Sequence, residues 1–276
     1  YALRPGDFLT TTHRGHGHCI AKGMDYNAGG ARYNTSYIQG VGIGTVTDCL
    51  SAIKYQVFDQ KNFTLPELTD AMLHDFEGQP RMLKLVQEHS PKYGNDDDAA
   101  DAMATRLFAD LADMTIAAGK AAGLDHYNIV SVNNSMSAEW GSLCEASACG
   151  RKRGSAMANG NGASIGADKN GITALLNSMS KFDNSKHVGV INNVRFTKEL
   201  FAGSMDKVGA VLKAFYENGG VQTNLCVVGR DDLENAMAHP ENYQNLLVRI
   251  GGFSARFVTL NPVVQREIIE RTTYGA

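Results

Sequence analysis

The sequence is poor in the features that mark secreted, membrane and nucleic-acid-binding proteins. Its five cysteines are an odd number, and no two of them have the Cys-x-x-Cys spacing of zinc and redox motifs. This argues against a disulfide framework and favours packing roles in a reducing, cytoplasmic environment. No apolar run approaches the roughly 18 residues that a membrane span requires. A net charge of −3 gives no indication of nucleic-acid binding.

Alternating helix and strand patterns predict an α/β fold for the 276 residues, a length that allows one large or two ordinary domains. Apolar periodicity and capping signals predict helices over 45–59, 64–78, 80–90, 172–182, 197–217, 231–238 and 262–272, and one from the acidic turn at 96–98 to about Gly119. Strands are predicted over 127–132, 188–196, 221–228 and 246–250. Residues 1–22 and the glycine-rich stretch 150–171 are expected to be irregular.

The most informative segment is Val248-Arg249-Ile250-Gly251-Gly252-Phe253-Ser254-Ala255-Arg256-Phe257. Its Gly-Gly step separates an apolar run from an aromatic and basic run, and such a step alone usually marks an ordinary turn. Glycine adopts the backbone angles of a buried, tightly turned loop. The residues alone therefore indicate a turn. The alternative, a radical stored on a backbone carbon, is what the family resemblance described next implies, and such a radical requires a residue without Cβ so that the unpaired electron delocalises into both flanking amides.

This decapeptide closely resembles the radical-bearing loop of the glycyl radical enzymes, the family that includes pyruvate formate-lyase. The resemblance implies that Gly252 holds the radical and that Arg249, Phe253 and Ser254 shape its loop. It implies that the chain is the C-terminal part of a β/α barrel, with no bound cofactor or metal. An activating enzyme that uses S-adenosylmethionine and an iron–sulfur cluster would install the radical.

The reaction that the resemblance implies is cleavage of a C–O, C–C or C–N bond in a small metabolite. The enzyme would be a lyase of the dehydratase type or a transferase of the formate acyltransferase type. The resemblance also implies a homodimer that works in an anaerobic cell. No nucleic acid or membrane partner is expected.

Further blocks carry the same resemblance, in family order, across roughly residues 19–276. They are the segments 25–44, 48–54, 91–97, 150–154, 166–171 and 178–182. The first of them is nearest the dehydratase-like branch that contains trans-4-hydroxyproline dehydratase, and Cys149 stands where the family usually has aspartate. We expect a foreign-looking N-terminal segment over 1–22, a barrel-forming region over 23–230 and a glycyl radical region over 231–276.

One element that the resemblance implies is missing from the sequence. In the family the stored radical abstracts hydrogen from a cysteine on a facing loop, which reads Cys-x-Glu in the dehydratase-like branch. No cysteine here has that context, and Cys144-Glu145 is a different pattern on the wrong side of the 25–44 block. The sequence also begins with Tyr1 rather than Met. We therefore expect an incomplete chain that does not turn over substrate alone.

Residues 3–23, with the run Thr12-His13-Arg14-Gly15-His16-Gly17-His18, resemble a second family. They are similar to the alpha subunit of thiamine-diphosphate-dependent 2-oxoacid or acetoin dehydrogenases. No later segment continues this match, which favours a chimera, an artificial sequence or an assembly join, without a thiamine site. His13, His16 and His18 lack a fourth ligand, so no zinc site is expected. Two alternative functions stay open: a component of such a dehydrogenase, and a non-catalytic protein that replaces the damaged radical domain of a glycyl radical enzyme.

Overall fold

The computed structural model describes residues 14–25, 28–32, 34, 36–124, 126–132, 135–187 and 189–274, with the backbone alone for 14–17 and 201. Its helices are α1 (Arg14–Lys22), α2 (Ile43–Ala52), α3 (Leu65–Leu73), α4 (Pro80–Glu88), α5 (Asp98–Ala121), α6 (Met136–Gly141), α7 (Gly171–Ser180), α8 (Lys198–Gly203), α9 (Met205–Glu217), α10 (Arg230–Ala238) and α11 (Pro262–Glu270). Its strands are β1 (Ser36–Gln39), β2 (Tyr127–Val130), β3 (Asn193–Phe196), β4 (Asn224–Val227), β5 (Leu247–Arg249), β6 (Ser254–Arg256) and β7 (Thr273–Tyr274).

The first four strands run parallel and follow one another in space as they do in sequence. β1 pairs with β2 from Ser36 opposite Tyr127, and β3 pairs with β4 from Asn193 opposite Asn224. A single parallel bridge between Ser131 and Val190 joins the two pairs. β7 pairs in parallel with β3, on the side of β3 opposite to β4. Parallel neighbours joined by helices are the arrangement of an α/β fold, as predicted.

Three apolar clusters hold the helices against these strands. One packs α5 and α7 on β3 through Phe108, Leu176 and Phe196. A second surrounds α2, α3 and α4, with Leu68 and Val86 completely buried. The third lies under β5 and β6, where side chains of α10 and α11 pack against the β5–β6 hairpin. The β5–β6 hairpin thus packs against a separate apolar cluster.

Side-chain caps set the starts of two helices, and the first of these caps was predicted. The Thr64 hydroxyl accepts from the Glu67 N–H while the Glu67 carboxylate accepts from the Thr64 N–H at 2.7 Å, which completes the capping box. The Asp97 carboxylate accepts from the amides of Ala99 and Ala100 at the start of α5. Each contact satisfies amides that have no partner within the helix.

Three of the secondary-structure predictions were wrong, and four short elements were not predicted. Residues 14–22 form a helix rather than a loop, and Gly23 at φ 60° ends it. The single helix predicted over 197–217 is two helices, because Ser204 adopts φ −147° and leaves the helical conformation. The helix over 45–59 changes to π-helical geometry at Ile53–Asp59. β1, α6, β6 and β7 were not predicted, since each is too short to set a clear period.

Candidate functional site

The Gly-Gly segment forms the turn of an antiparallel hairpin. β5 and β6 pair with Val248 opposite Ala255 and Arg249 opposite Ser254. The Ile250 amide donates to the Phe253 carbonyl at 3.0 Å, which closes a tight turn around Gly251 and Gly252. Gly252 has φ 92°, in a region that residues with a Cβ rarely adopt. The prediction of a tight turn that requires glycine is therefore confirmed.

Space as well as conformation favours glycine at residue 252. A Cβ placed there would lie 3.1 Å from Cδ1 of Ile191, on the segment that leads into β3. The Gly252 backbone is exposed and the Phe253 side chain is 47% exposed, whereas Gly251 is buried. The sequence led us to expect a buried loop, and this is wrong for the described residues. Val248, Ile250 and Phe257 bury the base of the hairpin, and nothing described covers its tip.

The Arg249 side chain forms hydrogen bonds within the turn and to the parallel sheet. Its guanidinium donates to the Ser254 hydroxyl at 3.1 Å and to the Gly252 carbonyl at 3.4 Å. The same group donates to Oδ1 of Asn224, at the start of β4, at 2.9 Å. Arg249 and Ser254 therefore shape the turn as expected, whereas Phe253 is half exposed.

A line of three asparagines continues from Arg249 beneath the hairpin. Asn224 donates to Asn193 at 3.2 Å, and Asn193 donates to Oδ1 of Asn159 at 2.8 Å. The Asn193 amide also donates to the Ile250 carbonyl at 2.8 Å. Asn159 and Asn224 are buried, and a buried amide is stable only where such partners satisfy it.

Two residues of the closing segment complete the circuit. Asn159 donates to the Glu267 carboxylate at 3.4 Å, and Arg271 binds both carboxylate oxygens of Glu267 at 2.8 and 2.7 Å. Arg271 then donates to the Arg249 carbonyl at 3.1 Å. These contacts form a closed polar ring around the base of the hairpin, through Arg249, Asn224, Asn193, Asn159, Glu267 and Arg271. We call it the hairpin ring.

No role was predicted for the supporting members of the hairpin ring. Asn224, Glu267 and Arg271 lie in predicted elements that adjoin the radical loop, whereas Asn159 and Asn193 lie in segments that do not adjoin it. The available signal was the pair Asn192-Asn193 in the middle of the predicted strand 188–196. A buried strand with consecutive amides needs partners for them, so that pair indicates a polar network.

The glycine-rich blocks around Gly150 and Gly166 come together although they are distant in sequence. They line one cleft of about 360 Å³, which also contains Lys92, Lys169 and Cys149. Cys149 lies beside Cys49 of α2, and a hydrogen bond from the Cys49 thiol, together with nearby Lys92, lowers the pKa of Cys149. All five cysteines are free. No Cys-x-Glu element is present, and Cys144 lies outside the hairpin ring.

Asp48, within the block 48–54, lies completely buried near the same cleft. Its carboxylate accepts from the Tyr93 amide at 2.9 Å. Burial raises the pKa of Asp48 to about 6, an effect that the Lys92 ammonium opposes. This carboxyl group therefore changes its protonation state in a mildly acidic range.

The three histidines of the N-terminal segment are only partly described. His13 lies outside the described residues, as does the side chain of His16. Among the residues that the structure describes, no group of three or more His, Cys, Asp or Glu side chains is arranged to hold a metal ion. Nor does any helix within those ranges combine the length and the hydropathy that a bilayer crossing requires.

Two family models match the chain. The pyruvate formate lyase-like model matches residues 9–135, and the glycine radical model matches residues 157–258, the segment that contains Gly252. Together with the hairpin, these matches establish that the chain belongs to the glycyl radical enzyme family. The first match begins inside the segment 1–22, and the comparisons do not support the resemblance of residues 3–23 to a thiamine-dependent dehydrogenase.

The relatives include several curated enzymes. Trans-4-hydroxy-L-proline dehydratase of Clostridioides difficile is 38% identical over 256 residues, which are 92% of this chain and 32% of that protein. Isethionate sulfite-lyase of Nitratidesulfovibrio vulgaris is 35% identical over 250 residues, which are 87% of this chain and 29% of that protein. The chain thus spans about a third of the length of the curated relatives that it matches.

Solved structures give the same fold. The hydroxyproline dehydratase of Clostridioides difficile, with its substrate bound, superposes with a TM-score of 0.88 at 36% identity, over 94% of this chain and 33% of that one. The B12-independent glycerol dehydratase of Clostridium butyricum superposes with a TM-score of 0.85 at 31% identity, with the same coverage. The fold is part of a glycyl radical enzyme barrel, as the sequence predicted. The boundaries at 22 and 230 stay a prediction.

Proposed function

We propose that this chain is the radical-storing part of a glycyl radical lyase of the dehydratase type, with Gly252 as the residue that carries the radical. The observation that carries the proposal is the position of Gly252: a left-handed glycine at the tip of a hairpin that the hairpin ring holds at its base. The matched glycine radical segment contains this residue.

The role of Gly252 follows from its backbone. Loss of its Cα hydrogen leaves a radical that both flanking amides stabilise, and no side chain hinders planarity at that carbon. Arg249 donates to the Gly252 carbonyl and so fixes one of the two amides. The hairpin ring holds the strands on either side, which keeps the carbon in one place while it stores the radical.

The exposed tip of the hairpin is accessible to two protein partners in turn. An activating enzyme that uses S-adenosylmethionine and an iron–sulfur cluster needs access to the Gly252 Cα hydrogen. The polypeptide that supplies the substrate-side cysteine would then cover the same tip and exclude solvent and oxygen. Because this chain lacks a Cys-x-Glu element, we expect it to store a radical but not to turn over substrate alone. The homodimer and the cytoplasmic location stay predictions.

The dehydratase type is favoured by the relatives. Their names include trans-4-hydroxy-L-proline dehydratase, (2S)-3-sulfopropanediol dehydratase and isethionate sulfite-lyase, with a 4-hydroxyphenylacetate decarboxylase subunit at 31% identity. Elimination of hydroxide or another leaving group from a small polar metabolite is thus the reaction we propose. Carbon–carbon cleavage is the less favoured form, and formate acyl transfer has no example among these relatives.

Isotope transfer tests the proposal. Protein labelled with [2-²H]glycine is incubated without oxygen with an activating enzyme of the family, S-adenosylmethionine and a reductant. In the proposed step the 5′-deoxyadenosyl radical takes the Gly252 Cα deuterium, giving 5′-deoxyadenosine and the glycyl radical. We expect deuterium in 5′-deoxyadenosine from the parent and from Gly251→Ala but not from Gly252→Ala. Equal transfer from Gly252→Ala would contradict the assignment.

A further inference from the structure

The backbone of Cys149 is held in a tight turn that lines the cleft beside Lys92. The Gly150 amide donates to the Ser147 carbonyl at 2.8 Å, which closes a turn around Cys149. Lys92 donates to the Cys149 carbonyl at 3.2 Å, and Gln87 donates to the Gly150 carbonyl at 2.7 Å. The place of the Cys149 thiol is therefore fixed through its backbone on both sides.

Helix α2 brings a second thiol to the same place. Thr45 and Cys49 are one turn apart and share a face of α2. The Thr45 hydroxyl accepts from the Ala158 amide at 2.8 Å, so this face is turned towards the segment that follows Cys149. Cys49 packs in the apolar cluster that contains Ala148, the residue before Cys149. The two thiols share a hydrogen bond, and sulfur atoms this close can join after rotation of their side chains.

The two thiols differ in the charge that their surroundings favour. A hydrogen bond from the Cys49 thiol, together with the nearby Lys92 ammonium, lowers the pKa of Cys149. The same hydrogen bond and burial raise the pKa of Cys49. Cys149 also lines the cleft of about 360 Å³, which admits small solutes. Cys149 is thus the thiol that ionises first, and a thiolate is the reactive form of cysteine.

We propose that Cys49 and Cys149 are a peroxide-reactive dithiol, in which Cys149 reacts first and Cys49 then closes a disulfide with it. This inference goes beyond radical storage and does not depend on Gly252. The sequence favoured packing roles for both cysteines, and only the fold brings them together. Capture by Cys49 would protect Cys149 from irreversible oxidation, and a dithiol reductant would restore both thiols.

The reaction balances in two steps with hydrogen peroxide as the oxidant. The Cys149 thiolate attacks one peroxide oxygen, the O–O bond breaks, and the leaving hydroxide takes a proton to become water. Cys149 is thereby oxidised to a sulfenic acid. The Cys49 sulfur then attacks the Cys149 sulfur, so that an S–S bond forms, the S–O bond breaks, and a second water leaves with the Cys49 proton. Two thiols are oxidised, and one peroxide is reduced to two waters.

Mass spectrometry of peroxide-treated protein tests the proposal. Reduced parent, Cys49→Ala and Cys149→Ala each receive one equivalent of hydrogen peroxide, and a parallel sample contains dimedone to trap sulfenic acid. The proteins are then alkylated in denaturant with N-ethylmaleimide and digested without reductant. Cys144→Ala is the matched control, because Cys144 is also a free, partly buried cysteine in the same segment as Cys149.

We expect the parent to lose about 2 Da and to yield a peptide pair linked through Cys49 and Cys149. Cys144→Ala should form the same link at the parent's rate. Cys49→Ala should form no link and should carry dimedone on Cys149. In Cys149→Ala, oxidation of Cys49 should be at least about tenfold slower than oxidation of the parent.

Two results would overturn the inference. A parent in which both cysteines are still alkylated, or are oxidised without a link between them, shows that they do not act as a dithiol. Dimedone on Cys49 in Cys149→Ala, formed at the parent's rate, shows that Cys149 does not react first. If a variant does not fold, the linked peptide pair in the parent decides, since that measurement requires no substitution.

Discussion

Arg195 offers a sharp test of how the closing helix is fixed. Its guanidinium lies on β3, is 4% exposed, and donates to the carbonyls of Ile268 at 2.7 Å and Ile269 at 3.0 Å, as well as to that of Arg271. The carbonyls at a helix C-terminus have no partner within the helix. Arg195 therefore satisfies the end of α11 and, with it, the backbone that carries Arg271.

The expected magnitude follows from those three acceptors. A buried carbonyl left without a partner costs roughly 1–3 kcal/mol. Burial lowers the pKa of Arg195 to about 10, which indicates that the buried charge itself opposes folding. Taking the lower end for each of the acceptors, we expect Arg195→Met to lower the free energy of unfolding by about 3 kcal/mol.

Urea denaturation followed by circular dichroism measures this change. Arg106→Met is the control, because Arg106 is largely exposed and pairs with Asp110 at 3.4 Å, a contact worth less than about 1 kcal/mol. Arg195→Lys should not restore stability, since one ammonium cannot match the fork that reaches separate carbonyls. An Arg195→Met protein within about 0.5 kcal/mol of the parent, the usual range for surface changes, would refute the reasoning.

Three further predictions concern pH, the turn and a helix start. The folded state binds the Asp48 proton more tightly than the unfolded chain does, since the pKa rises from 3.8 to about 6. Stability should thus fall by about 3 kcal/mol as pH rises through that window, and urea titrations across it should show no such fall in Asp48→Asn. Gly252→Ala should lower the free energy of unfolding by about 1–2 kcal/mol, because a φ of 92° is unfavourable for a residue with a Cβ. Gly209→Ala within α9 should leave that free energy unchanged or raise it, and the same urea titration measures both variants. Thr64→Ala should lower the midpoint of thermal unfolding, because loss of the cap removes about 1 kcal/mol of stability. An unchanged midpoint would contradict a stabilising role of the capping box.

The sequence was sufficient for features that depend on neighbouring residues. The capping box at Thr64 and the tight turn at Gly251-Gly252 both arise from contacts within a few positions. The helix break at Ser204 was missed because Gly203 and Ser204 are compatible with both a continuous helix and an interrupted one. α1 was missed because its histidines and glycines give no clear helical period.

The hairpin ring could not have been predicted in the same way. Asn159 and Glu267 are 108 residues apart, and Asn193 and Ile250 are 57 apart. No spacing rule connects such residues, because the fold brings them together. The exposure of Gly252 was missed for a related reason. A family resemblance describes the loop inside a whole enzyme, whereas this chain spans about a third of the length of its relatives.

The central claim is that Gly252 stores an unpaired electron, and electron paramagnetic resonance tests it most directly. The protein is activated without oxygen by an activating enzyme of the family, S-adenosylmethionine and a reductant, and its spectrum is recorded beside those of Gly252→Ala and Gly251→Ala. We expect a doublet from coupling to the one remaining Cα hydrogen in the parent and in Gly251→Ala, and no doublet in Gly252→Ala. A folded parent without a signal, while the same activating enzyme produces the doublet in its own partner, would contradict the claim.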